Sequence, residues 1–159
     1  MRIQFLACCI LIGSLATLLP ACKKSSGETA NPQSPPVSSD SLLQCHRASV
    51  PDSAAVLAAL TGEWSWRFIR CYWKTEEANG DDFAGLKVLF RNDQTLQVIV
   101  NGAVQQTSNW RLQRESEGYF RLITDPLVGQ LYGRIVLCNG WLLSYDSYTD
   151  GCDNWFRKE

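Results

Sequence analysis

The chain has 159 residues, of which 45% are hydrophobic and 19% charged, and its formal net charge is −1. That length holds one domain with a real core. The near-neutral balance, without a basic block, excludes nucleic acid as an expected partner, and a single histidine excludes a metal centre built on paired imidazoles.

The apolar run from Ile3 to Leu19 follows Arg2 and precedes Cys22, Lys23 and Lys24. A spanning helix needs about 20 apolar residues, and a shorter run with a small residue before a cut reads as a secretory signal. Leu19-Pro20-Ala21-Cys22 resembles the lipobox of bacterial lipoproteins. The resemblance implies that residues 1–21 leave, taking Cys8 and Cys9 with them, and that Cys22 becomes the lipidated first residue. Acyl chains contribute roughly 0.8 kcal/mol per buried methylene, so more than one chain anchors durably to a membrane. Lys23 is not the acidic residue linked to inner-membrane retention in enteric bacteria, so an outer-membrane location is expected. Residues 22–44, rich in Ser, Pro, Asn and Gly, lack the apolar surface to fold and read as an extended tether. The folded domain is then 45–159.

Four cysteines remain in that domain: Cys45, Cys71, Cys138 and Cys152. An even number in an exported domain points to two disulfides, and no C-x-x-C pair suggests zinc. His46 falls in an irregular stretch and reads as surface. A short helix is expected over 51–60, with Ser49 as cap, Pro51 in the first turn and Gly62 as the stop.

Beyond Gly62 the apolar period becomes two. Trp64, Trp66 and Phe68 alternate with polar residues, as do Leu86, Val88 and Phe90, then Leu96, Val98 and Val100. Further strands are read at Trp110–Leu112, 119–123, 130–137, 141–148 and 153–158. Asn92-Asp93, Asn101-Gly102, Glu117-Gly118, Asn139-Gly140 and Asp150-Gly151 mark turns, several of a type that accepts positive φ in tight hairpins. Eight short antiparallel strands suit an up-and-down barrel or a sandwich; the expectation is a closed, all-β, eight-stranded up-and-down barrel preceded by one short helix. If strands alternate in direction around a closed barrel, Cys71 and Cys152 share one end on neighbouring strands, and Cys45 and Cys138 share the other. Of the three connectivities open to four cysteines, only Cys71–Cys152 with Cys45–Cys138 avoids joining opposite ends.

Gly62-Glu63-Trp64 after a short helix, with Arg157 on the last strand, resembles the G-x-W start and closing arginine of the lipocalin family and its bacterial lipoprotein relatives. The likeness covers about residues 51–159 and includes the segments Leu137–Gly140 and Ser147–Asp153. It implies that Arg157 packs over the Trp64 indole by cation–π attraction and that the first long loop lids an open mouth.

Tyr72 and Trp73 open that loop, which also carries Glu76, Glu77, Asp81 and Asp82. With Tyr145, Tyr148 and the Asp125-Pro126 turn they are read as a rim for a ligand or partner. Asp146, Asp150 and Asp153 do not follow calcium-loop spacing, and no metal or other cofactor is expected. No G-x-S-x-G elbow or nucleophile–base pair is present, so the chain is not expected to be an enzyme. Two functions remain: a monomeric carrier or sensor holding a small apolar or amphipathic ligand in the barrel, or a solid barrel acting on a protein through its rim, as exported barrel-type protease inhibitors do. A connected apolar cavity of roughly 300 Å³ or more would favour the carrier.

Overall fold

The computed structural model describes residues 35–49, 52–73 and 85–159. Two helices, α1 (Ser39–Ser49) and α2 (Ser53–Leu60), precede eight strands: β1 (Gly62–Cys71), β2 (Leu86–Phe90), β3 (Thr95–Val100), β4 (Ala103–Arg114), β5 (Phe120–Asp125), β6 (Arg134–Cys138), β7 (Trp141–Tyr145) and β8 (Cys152–Lys158). The strands form one closed antiparallel barrel in sequence order, as the alternation and turn chemistry predict. Seven register pairs from Trp64↔Lys158 to Cys71↔Cys152 join β1 to β8 and shut the cylinder. Asn101-Gly102, Glu117-Gly118 and Asn139-Gly140 all take positive φ at both positions, the geometry their sequences favour.

Both expected disulfides form: Cys71–Cys152 at the rim and Cys45–Cys138 at the floor, with Cα separations of 4.2 and 6.0 Å. The first lies across the closing β1–β8 pair. The second ties α1 to the end of β6.

Four expectations need correction. The segment read as a tether to residue 44 overlaps a helix, because Ser39 onward is helical; Ser38 Oγ accepts the Ser41 amide and starts the helix. The short helix expected before the barrel is α2, with α1 ahead of it, and Asp52, not Ser49, caps α2 by accepting the Ala55 amide at 2.7 Å. His46 lies on α1 and is 3% exposed, not on the surface. The segments 130–133 and 147–149 are turns of 3-10 helix or loop, not strand.

The core has two layers. Inside the barrel lie Trp64, Val88, Phe90, Leu96, Trp110, Phe120, Leu122, Ile135, Leu142 and Phe156, with Val56 and Leu60 of α2 closing the floor. Outside it, α1 covers Phe68, Tyr119, Val136, Leu143 and Trp155 with Leu42. A bulge between Trp66 and Phe68 separates these layers on β1: Trp66 pairs with Phe156, and Phe68 with Trp155. An extra residue in one strand reverses which face the next side chains take, so Phe68 points out under α1 while Trp64 and Trp66 point in.

Candidate functional site

The barrel interior is filled. The 3-10 turn Gly129–Leu131 drops Val128 and Leu131 into the rim end of the core, and the Val128 amide donates to Thr124 Oγ1 at 2.8 Å. At the floor the Trp64 indole N–H donates to the Leu60 carbonyl at 2.7 Å. Between Trp66, Val88, Val98, Val128 and Phe156 a cavity of about 30 Å³ remains, an order of magnitude below the roughly 300 Å³ at which small-ligand sites begin.

The rim is where apolar surface meets solvent. Tyr72, Trp73 and Leu127 are 58, 59 and 64% exposed, and Val104 and Tyr132 are also open. These five large apolar residues, all those exposed among the described residues, lie on or beside connections at the Cys71–Cys152 end. The Arg121 guanidinium lies 5.4 Å from the Tyr132 ring. Tyr145 and Tyr148 form a pair. They stack on each other at 5.7 Å against the outer wall, where Tyr145 packs on the layer under α1 and the Tyr148 hydroxyl accepts from Arg121 at 2.6 Å. Leu127 and Tyr132 were not singled out in the sequence; an apolar residue directly after Asp125-Pro126 was the available sign.

Asp146, Asp150 and Asp153 do not converge on a cation. Asp153 is fully buried, and its Oδ1 accepts the amides of Asp146 and Ser147, both at 2.9 Å. Burial pushes its carboxyl above the usual range, opposed by those amides and by Arg70. Its work is to hold the β7–β8 turn. Among the described residues no group of three or more His, Cys, Asp or Glu side chains is placed to hold a metal. Cys22 and residues 74–84, including Glu76, Glu77, Asp81 and Asp82, lie outside the described residues.

At the floor the closing cation differs from the expected one. Arg157 lies over Trp141 at 5.1 Å and donates to the Asn139 carbonyl at 2.7 Å. Lys158 lies over Trp64, with Nζ 5.2 Å from the ring. Parity explains the exchange: Phe156 points into the barrel, so Arg157 points out and Lys158 in. Gly62 opens β1 at φ +120°, with Lys158 3.4 Å from where a Cβ would stand. Beside this pair is a cleft of about 430 Å³ between α2, the end of α1 and the β6–β7 turn.

No family model, curated protein or solved structure matches the chain.

Proposed function

We propose that the chain is an exported, lipid-anchored, non-catalytic binding module whose solid barrel presents its rim to a protein partner. The observation that carries this reading is the contrast between a filled interior, with about 30 Å³ free at the inner wall, and exposed large apolar side chains gathered at one end. Aromatic side chains supply large contact area at low entropic cost and anchor protein interfaces. Tyr72 and Trp73 are the anchors. The two disulfides fit an oxidising compartment, and Cys22 is the lipid attachment point in this reading.

The test is comparative capture from the cell envelope. The full-length protein retains a partner that then binds it in purified form. Tyr72→Ala with Trp73→Ala weakens that purified interaction at least about tenfold, as loss of two hot-spot aromatics does. Gln105→Ala, on the wall of β4, leaves it unchanged. Equal binding by the double variant would show that the rim is not the contact surface.

A further inference from the structure

The floor cleft has the makings of a second site, at the opposite end of the molecule from the rim. Its walls are Ala55, Val56 and Ala59 of α2 on one side and Leu137 and Trp141 of the β6–β7 hairpin on the other. The Cys45–Cys138 disulfide forms its back, and Trp64 contributes to its base. At about 430 Å³ it falls in the range of small-molecule sites, which combine apolar walls with a few polar groups. Among the described residues that line it, Lys158 is the one charged side chain and none is a carboxylate. The Lys158 ammonium donates to the Ala59 carbonyl at 2.6 Å, and with three donors it retains capacity for a second acceptor. The following acid, Glu159, is turned to the outer side, where it accepts from Ser65 and Arg67. A cation at the edge of an apolar trough is complementary to a single negative charge on an apolar body.

We propose that this cleft binds a monoanionic amphiphile, a carboxylate carrying an alkyl or aromatic body, with its head on Lys158 and its body against Ala55, Ala59 and Trp141. This site lies beneath the barrel rather than inside it, and it is independent of the rim reading.

The test is calorimetric titration of the exported chain, carrying Cys22→Ala so that no detergent is required. Decanoate is the probe and 1-decanol is the uncharged control. Decanoate is expected to bind one to one, at least about tenfold more tightly than decanol, the margin expected of a hydrogen bond to a charged group. Lys158→Met keeps the apolar stem and should bring the two affinities together. Because that change also removes the cation over Trp64, a second variant guards against a folding effect. Ala55 is exposed on α2, so Ala55→Trp fills the trough from the solvent side and should abolish binding with the thermal midpoint retained. Equal binding of acid and alcohol, undiminished binding by Ala55→Trp, or no decanoate uptake would each overturn the proposal.

Discussion

His46 sits between α1 and the barrel wall, where the Leu137 amide donates to its Nδ1 at 3.2 Å and Tyr119 stacks on it at 5.5 Å. Desolvation lowers its pKa below the ordinary 6.5, partly offset by the Leu137 carbonyl 3.4 Å from Nδ1, an acceptor that favours the protonated ring. The unfolded chain therefore takes up the proton first as pH falls. The neutral ring's contribution is complete above 6.5 and declines as pH drops from 6.5 towards the lower folded-state value. Urea midpoints measured at pH 7.5 and 5.5 should show a fall that His46→Gln largely removes. Gly133 illustrates a different constraint. Its φ is +120°, and a Cβ there would stand 2.6 Å from the Tyr145 carbonyl oxygen. Backbone has little room to give, so Gly133→Ala should cost at least about 2 kcal/mol in chemical denaturation, combining strained φ with a clash. Neither constraint was legible in the sequence, because each depends on a residue distant in the chain.

Among the elements, the β5–β6 pair is the thinnest part of the barrel, with only Phe120↔Ile135 and Arg121↔Arg134 in register. Two arginines facing each other across strands repel. Glu115 lies between them, ion-paired with Arg121 Nε at 2.7 Å and accepting from Arg134 Nε at 3.0 Å. Tyr119 and Tyr148 offer their rings to Arg134 at 5.0 and 4.2 Å. The ion pairs are mostly shielded, with Glu115 18% exposed, so Glu115→Gln should cost about 1–3 kcal/mol. Hydrogen exchange at this seam should rise more than at the β1–β8 seam; equal protection at both would show that Glu115 does not hold it. Helix α1 depends on its sulfur link. Cys45 and Cys138 are 93 residues apart, and the chain-entropy treatment assigns closure of such a loop about 4–5 kcal/mol. Replacing both by Ser should lower the denaturation midpoint and open α1 to protease before the barrel. The strands β6 and β7 had carried a sign of this helix. Ile135-Val136-Leu137 and Trp141-Leu142-Leu143 are apolar without alternation, which marks strands covered on both faces. Ser38 and the apolar Leu42 and Leu43 were the matching sign in the segment read as tether.

For the molecule as a whole, closure at both ends decides what kind of binding is open to it. Helix α2 stops the floor, and the turn carrying Val128 and Leu131 stops the rim end. Leu131 is 1% exposed, so Leu131→Ala should cost about 2–5 kcal/mol, the loss in transfer and cavity terms for a buried leucine. The same variant should take up a small apolar probe such as xenon that the parent excludes. A parent that binds the probe equally well would contradict a filled barrel. The two proposals use opposite ends of the molecule: rim aromatics facing solvent, and a floor trough beside Lys158.

The sequence by itself determined the antiparallel strands and tight turns, and, once a closed barrel was assumed over a sandwich, both disulfides. These follow from local rules: period-two alternation, Asn-Gly and Glu-Gly turn chemistry, and the alternating direction that places cysteines at one end or the other. Only the tertiary structure decided that Phe68 faces outward past a bulge, that α1 covers β6 and β7, that Lys158 rather than Arg157 meets Trp64, and that the interior is solid. Each of these depends on a one-residue change of strand parity or on the packing of side chains far apart in the chain.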